Sequence, residues 1–448
     1  MKIIAKMLLV ALTAGLSMQA VALDGLHENK QWKFDFGTGA VQEGFIQVTP
    51  ENRYSEESDF GLLCPNGIMK TVDADKGDNH TSDCVTSDEA FYFMINLPEG
   101  RYKVDLVLGN PTKQSVTTVK AESRRLMLES VNTQKGESLK KTIVVDVRRP
   151  EINDELRVRL KSREKGAQKW DDKLSLEFGG ENPSVSSIVI QEANDLPVFF
   201  LAGNSTVTDQ SSEPWASWGQ MFPRFLKPEV VVSNHACSGL TLISFKYQNR
   251  LKKILNTMKP GDYLFIEFAH NDQKQGSCHV EPYTTYQDEL RYFMNEFRKK
   301  GGKPVLVTST NRRRFDEDGK LVNTLGEYPN AMRKLAKEEN VPLIDLNAMT
   351  KTLYEALGVE DSKKLFVHYP ANTFPGQEKA LSDNTHFNTY GAYELAKCVV
   401  NSLKENYPDM ARFIHEDFKG FNPEVPDPFK NFFWPLSPDV DLVKPDGD

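Results

Sequence analysis

Val198-Phe199-Phe200-Leu201-Ala202-Gly203-Asn204-Ser205 is the stretch whose reading decides the fold. Four large apolar residues in succession, with no polar alternation, are the pattern of a strand buried on both faces, as in a parallel sheet covered by helices. The small, turn-prone residues Ala202, Gly203 and Asn204 then end the strand. Beyond them, Trp215, Trp218, Met221, Phe222 and Phe225 recur at spacings of three and four, which predicts one apolar face of a helix. Ser205 is therefore expected at a strand-to-helix turn, at the carboxyl end of a strand, where open parallel sheets bind ligands. A serine there is either a helix N-cap or, if a base can take its proton, a nucleophile, and this stretch alone does not choose between them.

Outward from this strand the same grammar repeats. Val230-Val231-Val232, Tyr263-Leu264-Phe265-Ile266, Pro304-Val305-Leu306-Val307 and Val341-Pro342-Leu343-Ile344 are short apolar runs that follow helix-like stretches, among them 243–258, 283–300 and 328–339. Five strands alternating with helices predict right-handed βαβ units, hence an α/β fold: a three-layer α/β/α sandwich with a five-stranded parallel sheet over 195–407. A last helix is expected over 390–406.

Upstream, 23–194 reads differently. Phe91-Tyr92-Phe93-Met94-Ile95, the runs 102–108 and 141–147, Leu156-Arg157-Val158-Arg159-Leu160, the run 174–178 and Ser187-Ile188-Val189-Ile190 are short and often alternating, without long helical periodicity. They predict an all-β sandwich that ends near Asn194 and Asp195. Residues 1–22 carry Lys2 and Lys6, an apolar core and Ala20-Val21-Ala22, the form of a cleaved export signal, so a soluble periplasmic or secreted protein is expected. No later run reaches the roughly 18 apolar residues of a membrane span. Residues 408–448 are rich in proline, aspartate and aromatics, and the aromatics predict an extension packed along the body.

Composition excludes some partners. The chain has 448 residues and a formal net charge of -8, without a long basic run, so nucleic acid is not an expected partner. Its five cysteines are too few for a disulfide scaffold in a chain of this length. Cys64 with Cys84 and Cys237 with Cys278 are the pairings worth testing, and Cys398 is expected to be a buried thiol. His235, Cys237, Cys278 and His279 match no short zinc pattern, and no metal or cofactor is expected.

Four stretches on the expected sheet rim carry complementary chemistry. Ser205 is the first; Ser238-Gly239 follows the second strand, His270-Asn271-Asp272 the third, and Asp383-Asn384-Thr385-His386 precedes the last helix. Acyl transfer needs this set. His386 takes the Ser205 proton and returns it to the leaving alcohol, and Asp383 holds the imidazole in its tautomer. The backbone N–H groups of Ser205 and Gly239, with the Asn271 side-chain amide, would receive the oxyanion. Against this, Asp383 with His386 also reads as a surface loop pair, Asn271 as a turn former and Gly239 as a plain turn glycine.

Taken in order, these four stretches resemble the four blocks of the SGNH, or GDSL-like, hydrolases, and more closely the rhamnogalacturonan acetylesterases. Supporting text is Lys303-Pro304-Val305-Leu306-Val307-Thr308, Arg312-Arg313-Arg314-Phe315-Asp316, Val341-Pro342-Leu343-Ile344-Asp345-Leu346 and Asp383-Asn384-Thr385-His386-Phe387-Asn388. A β domain opening Phe34-Asp35-Phe36-Gly37 is similar to the galactose-binding-like modules before some such esterases. The resemblance implies a serine carbohydrate esterase that removes O-acetyl groups from a plant cell-wall polysaccharide, pectin or rhamnogalacturonan first, with an acetylated polysaccharide or oligosaccharide as partner. An acetyl-xylan or lipolytic esterase, or a carbohydrate-binding protein with a decayed hydrolase domain, is the alternative. Two positions depart from the family: Asn204 stands where aspartate is usual, and Ala269 where glycine is usual. Arg312, Arg313 and Arg314, close to the rim, are candidates to pair with uronate carboxylates, or else form a solvated turn.

Overall fold

The structure is a computed structural model that describes residues 31–74 and 82–446. The expected leader, 1–22, lies outside the described residues.

Residues 31–74 and 82–192 fold into two facing sheets of short, mostly antiparallel strands. One sheet runs Leu139–Val147, Gly100–Leu108, Ser184–Glu192, Gln31–Phe36 and Ile46–Val48, with the hairpin Met69–Asp73 and Asp83–Ser87 attached to Ser184–Glu192. The other runs Phe60–Leu63, Phe91–Asn96, Lys173–Glu181, Ser115–Ala121 and Arg125–Thr133. Alternation is visible in Gly100–Leu108, where Tyr102, Val104, Leu106 and Leu108 point inward. Phe34, Phe36 and Phe93 interlock edge to face between the sheets, with Phe91 stacked on Phe178. This is a galactose-binding-like β domain.

The second unit is built on five parallel strands: β1 (Val198–Gly203), β2 (Val231–Asn234), β3 (Tyr263–Glu267), β4 (Lys303–Val307) and β5 (Leu343–Ile344). Their order is β2-β1-β3-β4-β5. The unbroken apolar run of β1 has a structural reason. Phe199 and Leu201 enter the core on one face, and Val198, Phe200 and Ala202 enter a separate core on the other. Thr285–Lys299 and Tyr328–Glu338 cover the second face through residues such as Phe293, Phe297 and Leu335. Thr389–Asn406 and Leu346–Asp361 cover the first through Leu395, Val399, Leu353 and Tyr354. Together these layers are an SGNH-type α/β/α sandwich. β1 is flanked by β2 and β3, so the chain leaves its carboxyl end where the strand order reverses, and a crevice forms there.

Several expectations are corrected. The Trp215–Phe225 stretch buries all five of its periodic residues but is one α turn, Trp218–Met221, followed by a tight 3-10 turn, Phe222–Phe225, which contains Pro223. The helix expected over 243–258 is split at Asn249, which takes a left-handed conformation (φ 63°) while its Nδ2 donates to the Arg157 carbonyl. Leu156–Leu160 is not a sheet strand. It belongs to the connector between the two units, where the Val158 N–H donates to Pro150 and the Arg159 N–H to Gln248. All five cysteines are free thiols: Cys64 lies beside Ser87 (3.4 Å), and Cys237 is buried in an apolar cluster.

The units are joined by buried charge. Arg125 Nε meets Asp209 Oδ2 at 2.7 Å, Arg124 meets Glu213 at 2.5 Å, and Arg148 donates to the Asn234 carbonyl. From Pro408 onward the chain runs back over both units. Phe432 packs on Tyr390 and Tyr393, Trp434 Nε1 donates to Glu213, Lys120 lies 4.2 Å from the Trp434 ring centroid, and Val440 forms a bridge with Glu213.

Candidate active site

Ser205 follows β1 after a single residue, Asn204. The turn is tight because Gly203 comes so close to Val207 that a side chain at 203 would collide with it at 2.5 Å. The Thr206 N–H and hydroxyl both donate to Asn204 Oδ1, an Asx-type closure that fixes the turn. Gln210 Nε2 holds the Ser205 carbonyl at 3.0 Å. Asn204, at the position where aspartate is usual, thus keeps the acceptor role, while its Nδ2 is buried without a hydrogen-bond partner.

Asp383 and His386 lie on the second strand of a hairpin, Phe366–Tyr369 with Leu381–Phe387, instead of in an open loop. His386 Nε2 is 3.0 Å from Ser205 Oγ, and His386 Nδ1 is 2.9 Å from Asp383 Oδ2. The other carboxylate oxygen of Asp383 accepts the N–H groups of Thr385 (2.7 Å) and His386 (2.9 Å). Burial alone would raise the Asp383 pKa, but the His386 ring and these two N–H donors outweigh it and bring it to about 2. The carboxylate is therefore charged at any working pH. Trp215 presses edge-on against the His386 ring, with centroids 5.9 Å apart. Ser205 is 2% exposed and His386 1%.

Gly239 and Asn271 come from neighbouring loops and line one cavity. Gly239 has φ 77°, a left-handed conformation that suits glycine. Asn271 Nδ2 donates to the Leu240 carbonyl at 3.1 Å, which uses one of its two hydrogens. Asp272 Oδ1 accepts the Leu242 N–H and so ties the third loop to the helix after the second. His270 Nε2 donates to the Thr310 carbonyl (2.8 Å), and burial followed by repulsion from Arg312 lowers its pKa well below the ordinary range.

The three arginines separate. Arg312 is half-buried and donates to the His270 carbonyl. Arg313 is buried: its guanidinium donates to Asn384 Oδ1, Ser362 Oγ and the Val359 carbonyl, which leaves it a brace for the Asp383 hairpin with no face for a uronate. Arg314 is exposed. Sequence patterns did not single out the buried Glu267, whose Oε1 lies 2.7 Å from Thr206 Oγ1 and whose Oε2 accepts from Trp218 Nε1 (2.6 Å) beneath the serine turn. They also gave no sign of Lys161, Arg163, Lys444 and Asp446. These four reach the site from the connector and the tail, and no local motif marks such contacts.

Serine, imidazole and carboxylate in hydrogen-bonded series, on the rim of a parallel sheet beside a glycine and an asparagine, are the fold and site of an acylhydrolase of the SGNH class. Comparison with known proteins agrees. Residues 201–392 match the GDSL-like lipase/acylhydrolase family, and 32–134 match the β-agarase/YxiM esterase-like, galactose-binding domain-like family. Rhamnogalacturonan acetylesterase RhgT of Bacillus subtilis strain 168 is 49% identical over 208 residues, covering 46% of this chain and 89% of that protein. The uncharacterized esterase YxiM of the same organism is 28% identical over 391 residues, 84% of this chain and 91% of its own. A crystal structure of YxiM, 26% identical, covers 85% of this chain and 100% of its own with a TM-score of 0.44. The chain belongs to the SGNH, or GDSL-like, hydrolases, in the rhamnogalacturonan acetylesterase-like family.

Proposed function

We propose that this protein is an exported serine esterase that removes O-acetyl groups from a plant cell-wall polysaccharide, rhamnogalacturonan or a related pectin first. The observation that carries the reading is the continuous Ser205–His386–Asp383 hydrogen-bond series, 3.0 and 2.9 Å. Ser205 Oγ attacks the acetyl carbonyl as His386 Nε2 takes its proton, and Asp383 stabilises the resulting imidazolium. The backbone N–H groups of Ser205 and Gly239 and the second hydrogen of Asn271 Nδ2 receive the oxyanion, each such donor lowering the barrier by about 3 kcal/mol. Collapse of the tetrahedral adduct breaks the ester bond, and His386 protonates the leaving sugar hydroxyl. Water, activated by the same imidazole, then releases acetate. The identity to RhgT over the hydrolase region supports the polymer, and the galactose-binding-like domain supports a polysaccharide in general.

Acetate release by the mature chain from acetylated rhamnogalacturonan, pectin and xylan tests the proposal. Release chiefly from the pectic polymers is expected. Preference for xylan would move the protein to the acetyl-xylan esterases, and folded protein that releases nothing would make it a binding protein.

A further inference from the structure

The tail passes over the catalytic centre, and it does so through charge. Asp446 Oδ2 lies 3.0 Å from Lys161 Nζ, and Asp446 Oδ1 lies 3.8 Å from Arg163 Nη1. Two residues earlier, Lys444 Nζ is 3.4 Å from the Asp383 carboxylate. The Asp441 carbonyl accepts from Trp215 Nε1, the ring that abuts His386. Asp446 is close enough to the proposed oxyanion loop that a side chain at Gly239 would meet its Cβ at 2.7 Å and Lys161 Nζ at 2.9 Å.

Lys161 is held in place independently of the tail, because its ammonium also donates to the Ser238 carbonyl at 2.6 Å. Arg163 Nη1 is enclosed yet makes no hydrogen bond, since the Asp446 oxygen stands too far away for one. A carboxylate seated slightly deeper would satisfy it. The cavity, about 360 Å³, is lined by Gly239, Asn271, Lys161, Lys274 and Asp446, so cations and oxyanion loops share one space. Lys274 stands in the same positive field: burial, then repulsion from Arg312 and Lys444, lowers its pKa. Lys161 and Arg163 both lie outside 201–392, the stretch matched to the hydrolase family.

We propose that Lys161 and Arg163 form a carboxylate subsite at the mouth of the catalytic centre, occupied here by Asp446, and that a uronate of the polymer displaces Asp446 and lifts the tail from Asp383 and Trp215. The inference rests on the esterase reading and adds what the site selects. The neutral hydroxyls of xylan cannot replace an aspartate between two cations, whereas a uronate offers the same group. The β-domain connector thereby reads the substrate's charge beside the oxyanion loops.

Two measurements on the full mature chain decide this. In the first, kcat/KM is compared between acetylated rhamnogalacturonan and the same polymer with its carboxyl groups reduced. Wild type is expected to prefer the native polymer about tenfold, Lys161→Gln/Arg163→Gln to lose that preference, and Asp446→Asn to keep it with KM on the native polymer roughly threefold lower. In the second, calorimetry follows de-esterified oligogalacturonide binding to the Ser205→Ala protein. The expected Kd rises about tenfold in the added Lys161→Gln/Arg163→Gln background and falls in Asp446→Asn. Thermal unfolding checks that each variant is folded. Equal turnover of native and reduced polymer, or binding indifferent to Lys161 and Arg163, overturns the subsite. Absence of turnover on every ester, 4-nitrophenyl acetate included, would instead overturn the esterase reading, while the binding data would still judge the subsite.

Discussion

Glu267 is 1% exposed directly beneath the Ser205 turn, and burial raises its pKa from the ordinary 4.5 to about 7 despite its hydrogen bonds with Thr206 and Trp218. The protonated form suits its partners: the Thr206 hydroxyl has one hydrogen for two acceptors, Asn204 Oδ1 at 3.0 Å and Glu267 Oε1 at 2.7 Å, so a proton on Oε1 leaves Thr206 free to donate to Asn204, while Oε2 accepts from Trp218. Between pH 4.5 and 7 the unfolded chain gives up this proton and the folded chain keeps it. Glu267 therefore stabilises the fold fully below pH 4.5 and loses that contribution, roughly 3 kcal/mol, as pH rises to 7. Glu267→Gln is expected to flatten the pH dependence of Tm over this window, and a Tm profile as steep as wild type would refute the assignment. Asp383 works in the opposite direction. Its lowered pKa contributes stability above pH 3.8 that is lost only as pH falls towards 2, so Asp383→Asn should show its main loss in kcat, roughly 10⁴-fold through the wrong imidazole tautomer. A pH–rate assay with 4-nitrophenyl acetate measures that loss.

At the scale of elements, the loop that follows Ser205 is held by the β domain. Arg125 and Asp209 form an ion pair with almost no exposed side-chain surface, and Asn234 Nδ2 also donates to Asp209. Removing one member of such a pair strands the other in the interior, at a cost of about 3–5 kcal/mol. Arg125→Met should therefore lower the denaturant midpoint strongly, and Arg125→Met/Asp209→Leu should recover most of the loss. If the single variant unfolds at the wild-type denaturant concentration, the pair is not structural. The elements themselves were unequally legible. The strands of the parallel sheet read directly as unbroken apolar runs, because burial on both faces leaves no room for polar alternation. Leu156–Leu160 alternates like a strand yet joins no sheet among the described residues, Arg157 making an isolated bridge with Glu151, and Asn249 breaks a helix whose apolar periodicity runs straight through it. Both outcomes depend on partners distant in sequence.

For the whole molecule, the same contrast separates the centre of the site from its setting. Ser205, Gly239, Asn271, Asp383 and His386 could be picked out because each sits in a short local motif. Glu267, Lys161, Arg163 and Asp446 could not, since only the docking of connector and tail on the hydrolase unit gives them their surroundings. Arg313 was misread for a related reason: a run of three arginines shows charge, but not which of them turns inward. The interface also predicts how the units behave apart. Without 23–194, Asp209 and Glu213 lose their buried arginines and Gln220 loses its bond to the Ser123 carbonyl. Expressed alone, 195–448 is expected to unfold at a lower temperature and to lose activity even on 4-nitrophenyl acetate. A stable fragment with full small-ester activity would reduce the β domain to a module for polymer binding.

The most direct test of the central claim is to trap the acyl-enzyme. The protein, mixed with acetylated rhamnogalacturonan or 4-nitrophenyl acetate and quenched in acid during turnover, is digested and analysed by mass spectrometry. The account predicts an acetyl group on the peptide containing Ser205, absent from Ser205→Ala, whose turnover falls by roughly a thousandfold or more. Acetate release that continues in Ser205→Ala, with no acetyl group ever found on that peptide, would contradict it.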